Sequence, residues 1–192
     1  MTQRKGDARQ QAKGGVHVAF LRGLNVGGKN LLPMERLARM FEKLGCQAVR
    51  TYIQSGNVIF TASALLARRV PEAISKAIRA ETGLEVPVIV RTADELAAIG
   101  RAHPFRTANA DLKRLHVAFL AEAPAVARIA MLDPNRSPPD EFEVRGREIY
   151  LHLRNGVART RLTNAYFDSK LDTVSTLRGV ATVDKLVELC RG

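Results

Sequence analysis

The sequence predicts an α+β protein built from two tandem ferredoxin-like units with antiparallel sheets, followed by a C-terminal helix. Three observations lead there. The order β-α-β-β-α-β can be read twice along the 192 residues. The string His17-Val18-Ala19-Phe20-Leu21 recurs as His116-Val117-Ala118-Phe119-Leu120, at an offset of 99. The paired strands are joined by tight turns, which requires antiparallel hairpins in place of long parallel crossovers.

In the first unit (16–91) the apolar run 16–22 reads as a strand bounded by Gly15 and Gly23. A helix follows with Met34, Leu37, Phe41 and Leu44 on one face, Pro33 suited to its first position and Gly45 to its stop. Strands 47–53 and 57–62 flank the turn Gln54-Ser55-Gly56-Asn57. A second helix is expected over 66–82, where Pro71 fits only in the first turn. Strand 85–91 carries Pro87 and so belongs at an edge.

A connector (92–114) opens with a capping box, Thr92 and Glu95. The second unit (115–192) repeats the order: strand 115–121, helix 123–131, hairpin 141–145 with 148–153, helix 161–171, strand 173–177 and a last helix near 181–190. Val16, Val18 and Phe20 point one way from the first strand, and His17, Ala19 and Leu21 the other. A strand apolar on both faces needs a second layer, so the two units should share a buried interface.

The hairpins echo each other as Gly56-x-x-Ile59-Phe60 and Gly146-x-x-Ile149-Tyr150, at an offset of 90. The first half is then nine residues longer between strand and hairpin. The segment Arg22 to Asn30 is nine residues long and lies in that interval. A scaffold that closes once without such a loop does not need it to fold.

Composition narrows the function classes. Hydrophobic residues make up 46% and charged residues 26%, an ordinary globular balance that excludes a disordered or collagen-like chain. No 18-residue apolar run offers a membrane span. Residues 1–15 carry Arg4, Lys5, Arg9 and Lys13 against Asp7 and read as a flexible basic tail. The formal net charge is +11. Cys46 and Cys190 form no paired motif, which excludes a zinc ribbon or disulfide scaffold and fits a reducing cytoplasm.

Gly23 to Asn30 spells G-x-x-x-x-G-K-N, one residue from a phosphate-loop pattern. Asn30 stands where magnesium needs a hydroxyl, and the antiparallel hairpin contradicts a doubly wound sheet, so both oppose a phosphate-loop nucleoside-triphosphatase. An anion site is retained: Gly27 and Gly28 free backbone N–H groups, a helix start follows, and Arg22, Lys29, Asn25 and Asn30 add charge and amides. Tyr52, Gln54, Ser55 and Asn57 cluster polar groups at the first hairpin, where a well-bonded turn is the simpler reading. His17, His103, His116 and His152 show no metal-ligand spacing and read as structural. No metal site, cofactor or catalytic residue is assigned.

An RNA-binding sheet would stack bases on central-strand aromatics, but Asn57-Val58-Ile59-Phe60-Thr61 offers one aromatic and the chain has no Trp. Nucleic acid binding of the base-stacking type is therefore unsupported, while sequence-blind phosphate attraction stays open.

The motifs V-A-F-L-R-G-L-N-V-G-G-K-N-L-L-P-M and R-T-Y-I-Q-S-G-N-V-I-F resemble domain-of-unknown-function family 1697, as do V-P-V-I-V-R-T, R-L-H-V-A-F-L and G-R-E-I-Y-L-H-L. The resemblance spans about residues 16–190. It implies a tandem pair of ferredoxin-like domains, bacterial relatives and no established activity. Where the family resembles R-N-W-N-T-V, this chain has Arg178-Gly179-Val180-Ala181-Thr182-Val183, so any binding role of those Asn and Trp side chains is missing here.

The functional expectation is a binding protein for an anionic small molecule, phosphorylated ones included. Arg22, Asn25, Gly27, Gly28, Lys29 and Asn30 would form the site, with Tyr52, Ser55 and Asn57 beside it. Two alternatives stand: a transferase or hydrolase on a phosphorylated or nucleotide-like substrate, and a non-specific nucleic-acid binder.

Overall fold

The structure, a computed structural model, describes residues 14–25, 32–54 and 56–192. The first half runs β1 (Gly15–Leu21), α1 (Met34–Lys43), β2 (Gln47–Tyr52), β3 (Asn57–Ala62), α2 (Ala64–Thr82), β4 (Val88–Thr92) and α3 (Ala93–Arg101). The second runs β5 (Leu115–Leu120), α4 (Val126–Ile129), β6 (Glu141–Arg145), β7 (Glu148–His152), α5 (Asn164–Leu171), β8 (Ser175–Gly179) and α6 (Val180–Arg191). Each half makes one four-stranded antiparallel sheet, ordered β2-β3-β1-β4 and β6-β7-β5-β8. The expected basic tail lies outside the described residues up to residue 13.

Three cores follow from alternation along the central strands. Ala19 and Leu21 join α1 and α2 on the outer side of the first sheet. Ala118 and Leu120 do the same with α5 in the second. Val18 and Phe20 turn inward to meet Val117 and Phe119, and α3 and α6 complete this middle layer with Leu96, Ile99, Val180, Val183 and Leu186. The Phe20 and Phe119 rings stack at 4.3 Å between centroids. Such a pair adds roughly 0.5–1.5 kcal/mol beyond its area burial.

Two residues cross between the sheets in the same way. Arg91 on β4 is 1% exposed and reaches the second half: Nε donates to Glu148 Oε1 at 2.8 Å, and Nη2 to the carbonyls of Leu120 at 2.7 Å and Arg147 at 3.1 Å. Arg178 on β8 reaches the first half: Nε donates to Asn57 Oδ1 at 2.7 Å, and Nη2 to the carbonyls of Leu21 at 2.9 Å and Gly56 at 3.5 Å. Each Nη1 donates to the carbonyl just before its own residue, Val90 or Leu177. Arg91 lies 5.7 Å from the Phe119 ring centroid and Arg178 5.5 Å from that of Phe20. The halves are thus related by a pseudo-two-fold that exchanges Phe20 with Phe119, Arg91 with Arg178, and Glu148 with Asn57.

The structure corrects several details. The hairpin echo is one residue out of step: Phe20 pairs with Asn57, 37 positions on, and Phe119 with Glu148, 29 positions on. The surplus of the first half is therefore eight residues, and Ile59 corresponds to Tyr150, both in the middle core. Ile149 faces the outer core instead, because a one-residue slip turns a strand over. The β–α connection holds twelve residues (22–33) against five (121–125). Helix α1 is also longer than α4, and the long α4–β6 connection offsets it.

Helix α2 starts at Ala64, since the Ser63 hydroxyl accepts the Leu66 N–H, and this places Pro71 well inside it. Buried Val70, Ile74 and Ile78 hold the helix against the sheet despite the missing N–H. Pro33 is the residue preceding α1 and not its first.

Glu148→Ala is expected to cost about 3–5 kcal/mol in urea unfolding, because it leaves Arg91 buried without its carboxylate. His103 and His116 are both buried, with His103 Nε2 3.1 Å from the His116 carbonyl. Burial lowers both imidazoles below the usual 6.5. Their neutral forms belong to the fold, so this stability is complete above pH 6.5 and is lost as pH falls below it. Unfolding midpoints measured from pH 7.5 to 5 should fall, and the fall should be smaller in a His103→Gln variant.

Candidate functional site

At the carboxyl end of β1 the connection to the next helix is seven residues longer than its counterpart after β5. There Leu21 donates its N–H to the Gly56 carbonyl at 2.7 Å, closing the β2–β3 hairpin onto the strand. Gly56 has a φ of +71°, and a Cβ on it would lie 2.8 Å from Leu21 Cβ, so only glycine allows this approach. Asn57 is fully buried, donates to the Tyr52 carbonyl at 3.3 Å and accepts from Arg178. Tyr52 packs against the middle core.

Arg22 follows directly on Leu21, and its guanidinium pairs with Asp168 of α5. Asp168 Oδ1 also accepts the Ser175 N–H at 2.8 Å and the Ser175 hydroxyl at 2.6 Å. At the end of β1, Arg22 thus reaches out to the other half at Asp168, and Arg178 reaches in from the other half to the Leu21 carbonyl. Burial pulls the Arg178 guanidinium down to about 10, while Arg91, also lowered by burial, is pushed back up by Glu148. Both stay charged at neutral pH.

Of the residues expected to form the site, Arg22, Tyr52 and Asn57 come together here. Asn25, at a φ of +57°, uses its amide to close the connection: Nδ2 donates to the Leu32 carbonyl at 3.0 Å and Oδ1 accepts the Leu32 N–H at 2.8 Å. Beside it a cavity of about 540 Å³ is lined by Asn25, Leu32, Met34, Glu35 and Gln54. Gly27, Gly28, Lys29, Asn30 and Ser55 lie outside the described residues. Sequence reasoning missed Asp168, Ser175 and Arg178. One signal was present: in each repeat a lone arginine precedes the cap of the last helix, Arg91 before Thr92 and Arg178 before Gly179.

Among the described residues no group of His, Cys, Asp and Glu could hold a metal ion, and no helix is long and apolar enough to cross a membrane.

Fold and site together define a duplicated α+β protein with two sheets back to back and a polar cluster at their seam. The chain belongs to the family described as protein of unknown function (DUF1697), which matches residues 15–150. Its fold is similar to that of conserved bacterial protein SP0830 from Streptococcus pneumoniae, with 21% identity, a TM-score of 0.66, and coverage of 92% of this chain and 98% of that one. No curated protein matches the chain.

Arg22→Ala should lower stability by about 1–2 kcal/mol in urea unfolding, as expected for losing a partly buried charge-assisted bond. The outcome contrasts with the negligible change expected of a solvated arginine.

Proposed function

We propose that the chain is a binding protein for a small anionic ligand, phosphorylated ligands included, held at the carboxyl end of β1. The observation that carries this reading is that the glycine-bearing segment 22–30 opens on Arg22, tied to Asp168, next to Leu21, whose carbonyl accepts from Arg178. Backbone N–H groups freed by Gly27 and Gly28, with Lys29 and Asn30, would complete the anion's surroundings. Arg22 would then hold the start of the segment to α5, and Arg178 would supply charge from a fixed position. Asn57 orients Arg178, Tyr52 borders the site, and Ser55 would add a hydroxyl to it. The strand order supports a ferredoxin-like arrangement in each half. Two free thiols, Cys46 and Cys190, fit a reducing cytoplasm.

Calorimetric titration with inorganic phosphate and with sulfate tests the reading. Lys29→Ala should weaken binding by about 1–3 kcal/mol with the unfolding midpoint unchanged. Unchanged affinity in that variant refutes the site. An affinity that appears only for polynucleotides, and falls steeply with added salt, would assign the charge to non-specific nucleic-acid binding instead.

A further inference from the structure

The pseudo-two-fold that swaps the halves carries the polar cluster at the end of β1 onto a cavity at the end of β5. Counted from the helix caps Ser63 and Thr163, Arg68 corresponds to Asp168. Counted along the paired strands, Val88 corresponds to Ser175 and Ala121 to Arg22. Arg68, Val88, Ala121, Ala64, Arg91 and Arg147 line one cavity of about 660 Å³. That volume is in the range of small-molecule sites. In one half the place is filled by an arginine–carboxylate pair; in the other it is hollow.

The hydrogen bonding of the edge strands says what the hollow place lacks. Ala121 N–H bonds to the Val174 carbonyl, and Arg22 N–H to the Pro87 carbonyl. This phase turns the N–H of Ser175 and that of Val88 away from the central strand. The Ser175 N–H meets the Asp168 carboxylate. The Val88 N–H faces a cavity in which an arginine stands at the carboxylate's position. Among the described residues Arg68 makes no ion pair, whereas Arg147 is paired with Glu95 and Arg91 with Glu148. Ala64, Ala67, Pro71 and Ile89 give the cavity an apolar wall, and Glu122 stands on its lining opposite.

We infer that this cavity is a second ligand site, which takes an organic carboxylate: the carboxylate accepts the Val88 N–H as Asp168 accepts that of Ser175, Arg68 pairs with it, and its apolar body lies on the wall of Ala64, Pro71 and Ile89. The site is separate from the anion site at β1 and uses none of its residues.

The test is an NMR titration of the ¹⁵N-labelled full chain with benzoate, and with benzamide as the uncharged counterpart. Benzoate should move the Val88 amide proton downfield and saturably, with affinity at least tenfold above that of benzamide. Arg68→Asp, which builds the carboxylate in, should show Val88 downfield without benzoate and lose benzoate affinity at least tenfold. Arg68→Gln, which removes the charge without building a carboxylate in, should lose benzoate affinity at least tenfold as well and stands in if Arg68→Asp disturbs the fold. Equal binding of benzoate and benzamide, a Val88 amide that does not move, or undiminished benzoate affinity in either folded variant overturns the inference. Phosphate binding at β1 is expected to persist in both variants, so failure of one site is distinguishable from failure of the other.

Discussion

A guanidinium taken out of water must find acceptors, and neither sheet can satisfy its own. Arg91 and Arg178 each leave the sheet that carries them and end on carbonyls at the far end of the other half's central strand. Between them Phe20 lies on Phe119. These contacts set the position of one sheet on the other, because sliding either by a single residue would part each arginine from its acceptors across the seam at once. The outer cores can be built within a half. The middle core can be built only by both, and the helices that finish it, α3 and α6, begin directly after the crossing arginines.

Much of this was legible in the letters. A strand such as His17 to Leu21, apolar in both registers, announces two covered faces, and its repetition at His116 to Leu120 announces two sheets. Thr92 with Glu95 marks a helix start by composition alone, and the capping box is formed. Hairpin register was not legible for the same reason that burial was. Val58, Ile59 and Phe60 are all buried, so the alternation that would tell inside from outside is absent, and matching Ile59 to Ile149 was as good by letters as matching it to Tyr150. Pro71 misled because a proline's cost is local while the burial that outweighs it lies on other turns of the helix.

The site was legible only on the side where it is local. Arg22 and Asn57 could be singled out from a glycine-bearing segment and a polar turn. Their partners, Asp168 and Arg178, stand 146 and 121 positions away, and no spacing rule reaches so far. Pairing also changes what the residues are: Arg22, read as a charge offered to an anion, is one end of an ion pair between the halves, and Asn25, read as an amide for the same site, serves the connection's own shape.

Reciprocal crossing arginines are the signature of an isologous contact, in which one surface patch meets a copy of itself. A single half would present an apolar sheet face and a stranded guanidinium to water, and two such halves would satisfy each other without any covalent link. Joining them in one chain adds no contact but removes an obligation, since symmetry no longer forces a change made in one copy upon the other. Asparagine opposite glutamate, arginine opposite alanine and aspartate opposite arginine are the divergences that this release permits, and all of them fall at the seam.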